Sequence, residues 1–187
     1  MKLNRRTFIR IVPIGAAVSA ASWWFLGQDT QSTSTQDFPV TWNQDPPIMV
    51  DPVDYRLRVD GDVSNPLQLT LGELYAVPTV NRSLTIRCRE GWSARVEWDG
   101  IPLSRLLSMA GAPSNYDHVS VRSITGYAGP LLAKIGQNDV AESDAMIGLK
   151  AGGFPLTVEH GYPARLVLPN RLGLEWVKCV TKITCIR

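Results

Sequence analysis

Twice in this chain, apolar side chains recur at every second position, and that period decides what the polypeptide can become. Tyr55, Leu57 and Val59 alternate with Arg56, Arg58 and Asp60 and stop at the Asp60-Gly61 pair; Leu84, Ile86 and Cys88 alternate in the same way. Period two sends neighbouring side chains to opposite faces of a strand, so each segment is a half-buried strand that needs a core. Helical signals are short by comparison. Thr70, with Glu73 three residues later, has the spacing of a capping box, and Leu103, Leu106 and Leu107 form one apolar stripe closed by Gly111 and Pro113. Residues 119–124, 164–169 and 176–186 also read as strands, with a turn over 170–173. Strands mixed with short helices, without a regular βαβ alternation, predict an α+β domain built on mixed sheets. No Gly-x-Gly-x-x-Gly loop points to a nicotinamide or flavin site.

The N-terminus has a different character. Asn4-Arg5-Arg6-Thr7-Phe8-Ile9-Arg10 precedes an uncharged stretch over residues 11–28, the order of a positive region followed by an apolar one in an export signal. The Arg-Arg-x-Phe order resembles a twin-arginine signal. Such signals carry folded proteins, so a domain that gains a cofactor before export and works in the periplasm, or otherwise outside the cytoplasm, is expected. Trp23-Trp24-Phe25 suits a membrane interface, and about 18 uncharged residues can just span a bilayer, so retention as an anchor through residues 11–28 stays open. Residues 29–41, rich in Gln, Ser, Thr and Asp, read as a flexible linker, and residues 42–187 as the folded domain. The formal charge of +2 includes Lys2, Arg5, Arg6 and Arg10; without these four the remainder is −2. That gives no basis for nucleic-acid binding.

Three cysteines cannot all pair within one chain. In one extended strand Cys179 and Cys185 would lie about 20 Å apart, beyond the roughly 7 Å a disulfide allows. Even spacing with Thr181 and Ile183 makes them core members of a strand face. Cys88 differs, because Arg87 and Arg89 on either side favour the thiolate that a metal or an electrophile requires. His118 and His160 complete no zinc spacing with these cysteines.

The run Cys88-Arg89-Glu90-Gly91-Trp92-Ser93, followed by Trp98-Asp99-Gly100-Ile101-Pro102-Leu103, resembles the cysteine loop of the sulfite oxidase family of molybdopterin-binding domains. Three further blocks resemble that family in order: Tyr55 to Gly61 with Leu69-Thr70-Leu71, then Ser123-Ile124-Thr125-Gly126-Tyr127, then His160-Gly161-Tyr162-Pro163-Ala164-Arg165 running on to Gly173-Leu174-Glu175-Trp176-Val177-Lys178. In motif the chain is nearest to the bacterial periplasmic methionine-sulfoxide reductase catalytic subunits, and it lacks the Cys-Ala-Gly-Asn-Arg-Arg loop of vertebrate-type sulfite oxidases.

The resemblance implies that Cys88 is the one protein ligand to a molybdenum otherwise held by molybdopterin, a soft thiolate suiting such a site. It implies that Arg165 and Lys178 meet the pterin phosphate, that Ser123 and His160 touch the cofactor, and that Trp176 and Val177 supply walls and main-chain groups. Asn43 is the counterpart, a poor match, of an upstream pterin contact. Arg87 or Arg89 would receive a substrate oxyanion, with Tyr127 as a donor at the mouth. The implied activity is two-electron oxo transfer on a small sulfur oxyanion or sulfoxide-type substrate. With no Cys-x-x-Cys-His haem motif in the chain, electrons would pass to or from a separate haem- or quinone-linked partner. Two alternatives are a non-catalytic, cofactor-free binding subunit of a membrane-associated complex, and a secreted scaffold with a reactive Cys88 thiol.

Overall fold

The computed structural model describes residues 38–39, 49–124, 132–142 and 144–187. The export segment, most of the linker, Asn43 and Tyr127 lie outside these residues. Two five-strand groupings pack around a core of aliphatic residues and tryptophans. The first contains β1 (Arg56–Gly61), β2 (Leu67–Thr70), β5 (His118–Ser123), β6 (Leu132–Gly136) and β10 (Val180–Ile186), in the order β2-β1-β10-β5-β6. Its β1 and β10 run parallel and its other pairs antiparallel. The second contains β3 (Val80–Arg87), β4 (Ser93–Pro102), β7 (Met146–Ala151) and β8 (Phe154–Pro155) in that order, with β9 (Arg165–Val167) also paired to β7.

Local chemistry sets the element ends. Leu57 and Val59 are fully buried while Arg58 between them is exposed, as period two requires. At Gly61 the backbone is left-handed (φ +92°) and an added Cβ would sit 2.1 Å from the Cys185 carbonyl oxygen, so the turn leaving β1 admits only glycine. Helix α1 (Leu71–Ala76) begins with a complete capping box: the Thr70 hydroxyl accepts from Glu73 N, and the Glu73 carboxylate accepts from Thr70 N at 2.8 Å. Helix α2 (Leu103–Met109) buries Leu103, Leu106 and Leu107, the expected stripe. A third helix, α3 (Gln137–Glu142), follows β6. Among the described residues no helix is long and apolar enough to cross a membrane.

The strand expected over 176–186 begins only at Val180, and the reason is in the hydrogen bonds. A 3₁₀ turn over Gly173–Glu175 comes first. After it, the chain bonds back to the segment before β10: Leu166 N donates to Val177 O, Cys179 N to Gly161 O, and Val180 N to Ala164 O. Cys179 takes a left-handed φ of +48°, and the register shifts between Val180 and Lys182. Cys179 therefore does not share one strand face with Cys185, a correction to the even-spacing reading. Both are nevertheless buried free thiols, and burial pushes the Cys179 thiol up to about 12.

Candidate functional site

Residues from three places converge around one buried arginine. Arg165 opens β9 and is 1% exposed. Its guanidinium carbon lies 5.9 Å from the ring centre of Trp98 on β4 and 5.7 Å from that of Trp176, just after the 3₁₀ turn. The two indoles meet edge to face at 5.7 Å, so the cation sits against two aromatic surfaces. Arg165 Nη1 donates to the carbonyl of His160 at 3.1 Å.

Lys178 is the second buried cation, 7% exposed, with Nζ donating to Glu159 O at 2.7 Å. Its stem packs on Gly161, whose φ is +103° and where a Cβ would come within 2.9 Å of the lysine Cβ. Burial, and then the charge of Arg165, lower the Lys178 pKa to about 7 from an ordinary 10.5, against a smaller upward pull from Glu159.

His160 closes this side. Its Nε2 is 3.1 Å from the carbonyl of Phe38 and its Nδ1 is 2.8 Å from the Thr157 hydroxyl. A carbonyl can only accept, so Nε2 carries the proton and Nδ1 accepts from Thr157. Burial lowers the His160 pKa, the Phe38 bond raises it, and the nearby Arg165 and Lys178 charges lower it further, in keeping with a neutral ring.

Ser123, at the end of β5, reaches the same place: its hydroxyl donates to Lys178 O at 2.7 Å, leaving only its oxygen lone pairs for another group. Val177 uses its N–H on Glu175 O and its carbonyl on Leu166 N, so it offers a wall rather than a donor. The Trp176 indole N–H is taken by Arg171 O at 3.3 Å.

Cys88 stands at the tip of the β3–β4 hairpin, one residue past β3, and is partly exposed. Cys88 N donates to Trp92 O at 2.8 Å and Gly91 N to Cys88 O at 3.1 Å, a tight loop that uses the left-handed Gly91 (φ +93°). Arg87 and Arg89 flank the thiol and are exposed. The hairpin end and the 3₁₀ turn touch: a Cβ on Gly173 would meet Ile86 Cγ1 at 2.9 Å and the Arg87 carbonyl at 3.2 Å. Through that contact the cysteine loop borders the turn that leads to Trp176. Sequence reasoning did not assign Trp98 a place here, although Trp98 lies in the resembling block.

The donor set fits an anionic cofactor. Two cations are buried side by side, each lowering the proton affinity of its neighbourhood, which an anion would relieve. Trp98 Nε1 is buried and has no hydrogen-bond partner, a donor aimed at nothing within the protein. Among the described residues no three His, Cys, Asp or Glu side chains gather to hold a metal. A metal at Cys88 therefore fits best as part of a group that brings its own ligands.

Comparison with known proteins gives the family. The family model for the oxidoreductase molybdopterin binding domain matches residues 43–187. YedZ1 of Azospira oryzae, named provisionally as a protein-methionine-sulfoxide reductase subunit, is 30% identical over 147 residues, covering 78% of this chain and 55% of that protein. The protein-methionine-sulfoxide reductase catalytic subunit MsrP of Gluconobacter oxydans is 28% identical over 146 residues, covering 71% of this chain and 47% of its own length. The chain thus spans about half the length of the curated relatives it matches. The crystal structure of the sulfane dehydrogenase SoxCD from Paracoccus pantotrophus superimposes with a TM-score of 0.70 at 23% identity, over 98% of this chain and 56% of that one, and shows the shared fold. The expected α+β architecture of mixed sheets and short helices is the one found, and the chain belongs to the family of oxidoreductase molybdopterin-binding domains.

Proposed function

We propose that this domain holds a molybdenum–molybdopterin centre through Cys88 and carries out two-electron oxygen-atom transfer on a small sulfur oxyanion or sulfoxide-type substrate. Electrons then pass to or from a separate haem- or quinone-linked partner. The names of the relatives, a methionine-sulfoxide reductase and a sulfane dehydrogenase, support a sulfur-centred substrate. The observation that carries the reading is the buried Arg165–Lys178 pair beside the unsatisfied Trp98 N–H.

When bound, the cofactor supplies the redox and oxygen-exchange chemistry, and the protein binds, orients and tunes it. Arg165, its guanidinium beside the Trp98 and Trp176 rings, would hold the pterin phosphate by a forked pair of hydrogen bonds, and Lys178 would add a point charge. Beside a phosphate, Lys178 would keep the proton that burial disfavours. His160, with its proton on Nε2, adds no further charge and holds the Phe38 carbonyl. Trp176 and Val177 wall the pterin, Ser123 holds the Lys178 main chain in place, and Asn43 is the remaining upstream contact. Cys88 binds as a thiolate at a hairpin tip open enough for substrate to approach. Exposed Arg87 and Arg89 collect the substrate oxyanion, with Tyr127 as a donor at the mouth. The twin-arginine segment delivers the loaded domain to the periplasm, where residues 11–28 are either removed or keep it at the membrane.

Elemental analysis of protein made in a host that synthesises molybdopterin tests this. Near-stoichiometric molybdenum in the wild type, lost in Cys88→Ser, is the expected outcome. Full metal in the variant would sink the ligand assignment, and no molybdenum in either protein would turn the reading to a non-catalytic binding subunit.

A further inference from the structure

The first sheet has one face in the core and one in water, and the outer face carries an unusual concentration of positive charge. Alternation places Leu57, Val59, Ile183, Val119, Val121 and Ile135 inward. It places Arg56, Arg58, Lys182, Arg122 and Lys134 outward. Arg58 faces Lys182 in register on the parallel neighbour, and Lys182 faces Arg122 on the next strand. Three cations thus stand side by side across β1, β10 and β5, a row about 10 Å wide at ordinary strand spacing.

Like charges directly opposite one another weaken a sheet. Among the described strand residues of this face one acid answers them: Asp60, whose carboxylate lies 2.9 Å from Lys182 Nζ and accepts from the Thr184 hydroxyl. Residues 42–187 contain fifteen Lys and Arg and fifteen Asp and Glu, so the domain is formally neutral. Among the described strand residues of this face five are cations and one is an acid, which leaves ten cations and fourteen acids in the rest of the domain. At the β1 entry a cavity of about 520 Å³ runs beneath Arg56, Arg58 and Lys182, and there Asp51 and Asp54 join the lining. The uncompensated charge lies away from that end, toward Arg122 and Lys134. Folding alone gives no reason to retain such a row.

We infer that this basic sheet face docks an acidic redox protein, the electron partner of the candidate centre. The inference rests on the function proposed above. The row ends where the site begins: Arg122 immediately precedes Ser123, and Lys182 is four residues beyond Lys178, at most about 13 Å of extended strand. Two-electron chemistry served by a one-electron haem carrier needs two dockings per turnover. Fast, reversible encounter is what complementary charge supplies, without a large apolar interface. A lipid surface would respond to the same charge, but a membrane lying flat on this face would cover the strand ends leading to the site.

The test compares two charge-matched double variants of the full chain, R58E/R122E on this face and R95E/R105E elsewhere; all four positions are exposed. The probe is a small acidic c-type cytochrome, with binding measured by titration from about 20 to 200 mM salt. Expected is wild-type affinity that falls with salt, a loss of about tenfold or more at low salt in R58E/R122E, and much less change in R95E/R105E. Equal effects of the two pairs, or no salt-dependent binding by the wild type, would overturn the inference. So would binding to phosphatidylglycerol vesicles that R58E/R122E abolishes while cytochrome affinity is alike in both variants. Binding needs no loaded cofactor, so molybdenum content measured on the same samples reports separately on the proposed function.

Discussion

Arg165 and Arg87 belong to the same candidate site, yet one is sealed between two indoles and the other stands in water. The Arg165 side is built like a core: two buried cations, a neutral histidine, a serine holding a main chain, and tryptophan walls. The Cys88 side is a short hairpin loop with exposed neighbours. On the function proposed above, the first region holds the anionic group of the cofactor permanently. On the same reading the exposed arginines, which cost the fold little, meet a substrate that comes and goes. That reading gives retention and turnover to different halves of one site.

The sharpest way to break this contrast is at its wall. Trp98 is fully buried, contacts Trp176 and Phe38 edge-on, and lies under Arg165. Trp98→Ala should destabilise the domain by about 3–5 kcal/mol, as large aromatic deletions in cores do, with guanidinium denaturation as the readout. A loss under about 1 kcal/mol would mean that the cation side is not packed as a core.

Next in size is the pH response of Lys178. Its folded pKa of about 7 lies below the ordinary 10.5, so between those values the unfolded chain binds more protons. The cost of the buried charge is full below pH 7 and vanishes above about 10.5, so cofactor-free protein should gain stability as pH rises through that window. The gain from this group is on the order of a few kcal/mol. Lys178→Met should flatten the slope. Bound phosphate should flatten it too, because an anion raises the lysine pKa toward its ordinary value. An unchanged slope in the variant would show that some other group titrates.

Arg165→Met sharpens the division between holding the fold and holding the guest. Its bond to the His160 carbonyl and its cation–π contacts with two rings contribute about 1–2 kcal/mol to stability. A forked, charge-assisted phosphate contact is worth about 10- to 100-fold in affinity. Cofactor content after gel filtration should therefore drop while the thermal transition moves by only a few degrees. Retained cofactor would remove the phosphate role.

How far these features could be read beforehand follows the same division. The capping box at Thr70 and the strand ending just before Cys88 were legible because each depends on a few neighbouring residues. Strand β7 was not: Met146 to Leu149 are all buried, and a continuous apolar run carries no period to tell strand from helix. In β4 the Asp99-Gly100 pair marks a register shift where a Cβ on Gly100 would lie 2.6 Å from the Ile147 carbonyl oxygen, a close approach that only the pairing with β7 creates. Arg165 and Lys178 were identified through resemblance to a family. Their burial, and the place of Trp98 beneath Arg165, depend on β4, β7 and β9 pairing across long separations, which no local pattern encodes. The late start of β10 has the same origin, since the bonds that hold residues 177–180 come from residues 161–166.

The smallest expected effect tests the exposed side. Arg87 and Arg89 form no ion pair among the described residues and project at the loop that holds Cys88, so removing either should leave stability within about 0.5 kcal/mol of wild type. If they only gather an anionic substrate, Arg87→Ala and Arg89→Ala should raise KM at low ionic strength and leave kcat nearly unchanged, since a uniform binding contact does not distinguish substrate from transition state. Added salt should then erase the difference between variant and wild type, because exposed charges are screened within about 10 Å at 0.1 M. A kcat that falls with KM constant would instead place an arginine against the reacting atoms, and the exposed half of the site would have to close during turnover to bring it there.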